Sequence, residues 1–86
     1  MDLQVQKKDG RLEPFDRDKI KSGLLKSGAS KEEAEKIAAD VEVWAQNAAQ
    51  NGIVSTFSLR NKVLEILKEI NPTAANAFEF YRKPKQ

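Results

Sequence analysis

The sequence predicts an α+β fold, a four-helix bundle capped by a small three-stranded sheet, with residues 1–86 forming a single domain. Three observations carry this expectation. The chain opens with the alternating segment Leu3-Gln4-Val5-Gln6-Lys7, breaks at Asp9-Gly10 and resumes at Arg11-Leu12-Glu13, which is the pattern of a β-hairpin. Four later segments place apolar residues at helical spacing between start and stop signals. Between the second and third of them lies the β-branched pair Ile53-Val54, enough for a short third strand beside the hairpin. Strands this short cannot hold a sheet alone, so the hairpin is expected to lie across the helices as a lid.

Each element has its own signals. Asp9-Gly10 as a two-residue type I′ loop sets Lys8 opposite Arg11, Lys7 opposite Leu12 and Gln6 opposite Glu13, so Val5, Lys7 and Leu12 share one face. Pro14 has no ladder donor and closes the second strand. Asp16 caps a first helix with Ile20, Leu24 and Leu25 inward, and Ser27-Gly28 ends it. Ser30 and Glu33 form a capping box ahead of the stripe Ala34, Ile37, Ala38, Val41, Trp44, Ala45 and Ala48, and Asn51-Gly52 is the stop. Ser55 or Thr56 caps a third helix carrying Leu59, Val63, Ile66, Leu67 and Ile70. Asn71-Pro72 opens a fourth, with Ala74, Ala75, Phe78 and Tyr81 or Arg82 inward and Pro84 at its end.

Composition narrows the function. With 86 residues, 40% apolar and 33% charged, the chain can build one small core. The absence of cysteine and histidine removes disulfides, thiolate nucleophiles, an imidazole base and the usual soft zinc ligands. The long uncharged stretch over residues 43–59 is too polar to span a membrane, and the amino terminus lacks the regions of a signal peptide, so a cytoplasmic location is expected. Net charge is only +2, but residues 1–31 hold 8 basic and 5 acidic side chains, residues 32–69 hold 4 and 7, and residues 70–86 hold 3 and 1. Basic ends around an acidic middle would make one positive site for a small anion if the ends meet.

The candidate site residues follow from that asymmetry. Lys7 on the core-facing side of the hairpin either snorkels to water at the tip or has an anionic partner. Lys7, Lys8 and Lys19 could cradle phosphate, with Asp16 three residues before Lys19 on the same side of the first helix, although for any one of these charges a solvated surface group is the simpler account. No glycine-rich phosphate loop is present, so side chains would have to hold a nucleotide. Thr56 and Arg60 lie four apart at the start of the third helix, where a cap and a surface charge are the simpler roles, yet Arg60 is off the apolar stripe and near a helix end that favours anions. Trp44, Phe78, Phe80 and Tyr81 read as packing residues, and the carboxylates of the second helix as a solvated face without a nucleophile or base beside them.

The run Val5-Gln6-Lys7-Lys8-Asp9-Gly10-Arg11-Leu12-Glu13-Pro14-Phe15-Asp16-Arg17-Asp18-Lys19-Ile20 resembles the opening signature of the ATP-cone domain. Gly52-Ile53-Val54-Ser55-Thr56 with Arg60 and Val63-Leu64, and the closing Phe80-Tyr81-Arg82-Lys83, resemble its later segments in the same order. ATP-cones are regulatory nucleotide-binding modules of ribonucleotide reductases, of the repressor of reductase genes and of some other enzymes. The resemblance implies ATP or dATP as ligand, with magnesium carried on the nucleotide, held between the hairpin and the helices. It places Val5, Glu13 and Asp16 on the adenine side, Glu13 accepting from the exocyclic amine, with Thr56 nearby. Lys7, Lys8, Lys19, Arg60 and Lys83 would then meet the phosphates.

Asp16 stands where many reductase relatives have Asn, and a second carboxylate near the base would bear on which purine is preferred. Arg60 stands where some relatives have His, keeping a phosphate contact that does not depend on pH. Neither a reductase domain nor the four cysteines of the repressor's zinc ribbon accompanies the cone in this sequence. The expectation is a stand-alone, non-enzymatic cone that signals by changing association with itself or with a protein partner. The alternative is a degenerate cone kept as an interaction module without nucleotide binding. A nucleic-acid accessory is disfavoured by the acidic middle and the lack of an aromatic platform.

Overall fold

A computed structural model describes residues 3–81, with side chains described through Glu79. The elements are β1 (Gln4–Gln6), β2 (Leu12–Pro14), α1 (Arg17–Lys26), α2 (Lys31–Ala48), β3 (Ile53–Ser55), α3 (Thr56–Ile70) and α4 (Pro72–Tyr81), which is the expected four-helix bundle with a three-stranded sheet. Strand order is β2-β1-β3. β1 runs antiparallel to β2 and parallel to β3, with Val5 opposite both Glu13 and Val54. Val5 and Val54 are buried and tie the sheet to a core that includes Leu24, Ile37, Val41, Leu59, Val63 and Leu67.

The hairpin register differs by one residue from the two-residue turn that Asp9-Gly10 suggests. Gln6 pairs with Leu12 and Val5 with Glu13, leaving a three-residue loop, Lys8, Asp9 and Gly10. The Lys7 amide donates to the Arg11 carbonyl at 2.8 Å and the Gly10 amide to the Lys7 carbonyl at 2.9 Å. Within this loop only Gly10 adopts positive φ, +93°, whereas a type I′ turn needs it at both central residues. Asp9 closes the loop from outside, its carboxylate accepting from the Arg11 amide at 3.1 Å and from Arg11 Nε at 2.9 Å. Those bonds, the backbone one foremost, hold the Asp9 carboxyl below the usual range. Because side chains alternate, the one-residue shift turns Glu13 to the face of Val5 and Lys7 and turns Leu12, 45% exposed, to the other side.

The caps form as their residues suggest. Asp16 Oδ1 accepts from the Asp18 amide at 3.0 Å, and Ser30 and Glu33 make the reciprocal capping box. Ser55, rather than Thr56, caps α3 by accepting from the Ser58 amide at 3.0 Å. Asn71 Oδ1 accepts from the Ala74 amide at 3.0 Å at the start of α4, and its Nδ2 donates to Glu33 Oε1 at 3.1 Å, joining the first turns of α2 and α4. Glu33 is thereby held below the usual carboxyl range, chiefly by the Ser30 amide and next by Asn71.

Two inward assignments change. Leu25 is 45% exposed because it stands about 100° round the helix from the fully buried Leu24, beyond the arc that meets the bundle. Ala48 is exposed, since α2 stops there and the extended backbone at Ala49 brings Ala49 against the core instead. Tyr81's side chain and Arg82, the alternatives for the last inward position, lie outside the described residues.

α1 packs on α2 and α4, and α3 packs on the same two neighbours. The up-and-down succession sets the first turns of α1 and α3 beside the sheet, so residues from both ends of that layer can face one space.

Candidate functional site

That space is a cavity of about 530 Å³ between the sheet and the starts of α1 and α3. Five stretches of chain line it, α4 through Phe78 alone. Val5 enters from β1 and Lys7 from just after it, Glu13 from β2, Asp16 and Lys19 from the start of α1, and Thr56 and Arg60 from the first turns of α3. Seven of the nine residues singled out in the sequence therefore line one cavity. Lys8 does not; it lines a neighbouring cavity of about 500 Å³, where Lys7, Thr56 and Arg60 recur. The two spaces meet along that shared wall. Lys83 lies outside the described residues.

Local rules explain why each side chain arrives. Asp16 and Lys19 project together because three residues nearly complete a helical turn, and Thr56 and Arg60 because four slightly exceed one. Thr56 has its hydroxyl clear of capping duty because Ser55 makes the cap bond. Lys7 does not simply snorkel to water: its Nζ lies 3.9 Å from Glu13 Oε1. Lys19 Nζ lies 3.8 Å from the same oxygen. One carboxylate thus faces two ammonium groups, one from the sheet and one from the bundle, an arrangement that the two-residue turn would have broken by sending Glu13 outward.

The floor is apolar, and most of it was not singled out in the sequence. Phe15, Ile20, Leu59, Val63 and Phe78 line it together with Gly23. Helical spacing carries a signal for two of these, since residues 16, 19, 20 and 23 fall on one side of α1. A residue without a side chain at position 23 leaves room there, and a Cβ on Gly23 would sit 3.8 Å from Phe78 Cε1. Phe78, read as simple packing, both packs on the core and faces the cavity. Trp44 stays outside it as a half-buried ring with Lys62 Nζ 5.9 Å from its centroid.

The cavity volume suits a nucleotide-sized ligand, and its lining combines an apolar floor with the carboxylates of Glu13 and Asp16 and the cations Lys7, Lys19 and Arg60, of which the two lysines face Glu13 within 4 Å. Such a lining can take a flat apolar ring with donor groups together with an anionic tail. Among the described residues no group of three or more acidic side chains is placed to hold a metal ion, and no helix is long and apolar enough to cross a membrane.

The family profile described as "ATP cone domain" matches residues 3–86. The chain belongs to the ATP-cone family. An ATP-cone is a regulatory nucleotide-binding module, which agrees with the resemblance of the opening signature. Similar proteins include the transcriptional repressor NrdR of Syntrophus aciditrophicus, 38% identical over 74 residues, covering 81% of this chain and 46% of the repressor. The transcriptional repressor NrdR of Fusobacterium nucleatum is 40% identical over 76 residues, covering 84% of this chain and 50% of the repressor. An uncharacterized protein of Archaeoglobus fulgidus is 52% identical over 40 residues, 46% of this chain and 85% of that protein. The ATP-cone chain spans about half the length of the repressors it matches. The expectation against nucleic acid gains no support from relatives so named.

Proposed function

We propose that this ATP-cone binds ATP or dATP in the cavity between sheet and bundle, does not turn it over, and reports the bound nucleotide by changing its association with a protein partner or with a second copy. The observation that carries the reading is the convergence of Lys7, Glu13, Asp16, Lys19, Thr56 and Arg60, distant in the chain, on one apolar-floored space. In this reading the adenine ring rests among Val5, Ile20 and Phe78, with Glu13 and Asp16 at its amine edge. Lys7, Lys19 and Arg60 face the phosphates, Lys8 contributes from the adjoining cavity, and Lys83 joins from the carboxy-terminal end. Magnesium enters as the ion the nucleotide carries.

The chemistry is recognition. No imidazole or thiolate exists in the chain to activate water or attack phosphorus. Charged donors on phosphate oxygens supply affinity, and a carboxylate facing the exocyclic amine supplies base preference. A ligand equilibrium acts on a partner only when two states of the protein differ in affinity for it, so the nucleotide must bind one arrangement of sheet and bundle better than another.

Calorimetric titration with ATP, dATP and GTP, with phosphate release followed in parallel, tests the proposal. ATP or dATP binding with GTP weaker, and no phosphate release, is the expected result. No binding at millimolar nucleotide would leave the interaction-module alternative, and steady release by pure protein would overturn the non-catalytic part.

A further inference from the structure

Glu13 holds its carboxylate between two lysines of the cavity. A single oxygen, Oε1, lies 3.9 Å from Lys7 Nζ and 3.8 Å from Lys19 Nζ. The two lysines come from different layers, the hairpin and α1, and both line the cavity. Asp16, the other carboxylate there, already has Oδ1 engaged by the Asp18 amide as the cap of α1. The side chain of Glu13 is 34% exposed and those of Lys7 and Lys19 are 38% and 74% exposed, so these pairs contribute little to fold stability and can exchange partners.

We propose that Glu13 is a built-in counter-ion of the cavity, competing with a ligand's phosphates for Lys7 and Lys19, so that phosphate binding releases its carboxylate to the base. This rests on the nucleotide reading above and deepens it. Without ligand, the carboxylate neutralises part of the positive wall and links the hairpin to the bundle. A polyphosphate carries more charge and more acceptor oxygens, and takes over both ammonium groups. The freed carboxylate, about one-third exposed, then accepts from water until a base with an exocyclic amine takes that place. Phosphate alone leaves Glu13 to water, and a nucleoside alone competes with two lysines for it. A nucleotide satisfies both ends, so the two halves of the ligand bind cooperatively.

The decisive probe is inorganic tripolyphosphate, which has the anionic tail and no base. Glu13→Gln keeps the shape of the side chain and removes the competing charge, so tripolyphosphate should bind about fivefold tighter at low ionic strength. Asp40→Asn, on α2 outside both cavities and paired with Lys36, makes the same change in net charge and should alter binding less than twofold. Equal tightening in both variants, no tightening in Glu13→Gln, or no tripolyphosphate binding to any form would overturn the proposal. The wild-type protein gives a second test that does not depend on a variant folding: saturating tripolyphosphate should tighten adenosine binding about fivefold or more. Independent or competing binding of the two fragments would overturn it as well. If ATP binds the wild type no better than tripolyphosphate while Glu13→Gln still tightens tripolyphosphate, the adenine reading fails and with it the release to the base, and only the competition for Lys7 and Lys19 stands. If ATP binds selectively but tripolyphosphate ignores Glu13→Gln, the counter-ion fails and the nucleotide reading stands.

Discussion

At Lys7, the ammonium group just after β1 has a carboxylate within 4 Å and a second cation, Lys19, across that carboxylate. An ammonium in this position has its charge balanced at the hairpin and can exchange that partner for an anion from the cavity. Arg60, one turn into α3, lines the wall shared by both cavities. Lys7→Ala and Arg60→Ala should each weaken triphosphate binding by about 1.5–3 kcal/mol, the scale of a hydrogen bond to a charged group, while adenosine binding falls much less. Parallel calorimetric titrations with ATP and adenosine check this. Equal losses for the two ligands would move both residues away from the phosphates.

Among the elements, the hairpin and α1 make opposite demands on glycine. Gly10 holds φ +93° with nothing within 4 Å of an added Cβ, so Gly10→Ala meets only backbone strain. It should lower stability by about 1–2 kcal/mol, read as a fall in the thermal midpoint. Gly23 is helical and an added Cβ would make an ordinary 3.8 Å contact with Phe78. Gly23→Ala should stabilise α1 by roughly 0.5–1 kcal/mol while narrowing the apolar floor, so the midpoint rises as adenosine affinity falls. A rise in both quantities would place the base elsewhere.

The junction of α2 with α4 supplies a pH dependence. Glu33 is held below its ordinary range by the Ser30 amide first and by Asn71 next, so folding favours its charged form. The stability it contributes is complete above the unfolded value of about 4.3 and is lost as pH falls through the lower folded value. Glu33→Gln has no such titration. Denaturant unfolding should therefore show the wild type losing more stability than Glu33→Gln between neutral pH and about pH 3, with the difference greatest at the acidic end. Identical acid limbs would show that the Ser30 and Asn71 bonds do not bias ionisation in solution.

For the whole molecule, the three-residue strands form a thin layer in which Val5 and Val54 are the buried strand residues. Such a layer should open more readily than the bundle, and a ligand that bridges it to α1 and α3 should order it. ATP at a hundredfold excess over its dissociation constant should stabilise the fold by about 2.7 kcal/mol, with the largest gain in amide protection in β1, β2 and β3. Hydrogen exchange with and without ATP measures this. Sedimentation and partner capture under the same two conditions test whether ordering the layer changes association; an unchanged mass with an unchanged set of partners would separate binding from signalling.

The helices, the class of the fold and every helix cap but that of α3, left open between Ser55 and Thr56, were legible in the sequence, because they depend on neighbours three or four residues away. Ser30 with Glu33, Asn71 with Pro72, and the stripe of Leu59, Val63 and Leu67 are local patterns with local causes. The sequence also marked the charged residues of the cavity, since the opening signature holds Lys7, Glu13, Asp16 and Lys19 within a short stretch. Only the tertiary structure decided the hairpin register, because Asp9-Gly10 is compatible with both a two-residue and a three-residue loop. The choice sets Val5 opposite Glu13 and turns Glu13, rather than Leu12, towards Lys7. The apolar floor was equally hidden: Leu59 and Phe78 each read as ordinary core residues, Phe15 carried no role of its own, and a cavity exists where the sheet layer and two helix starts fail to fill the space between them. That gap is a property of three surfaces meeting, and no single stretch of chain encodes it.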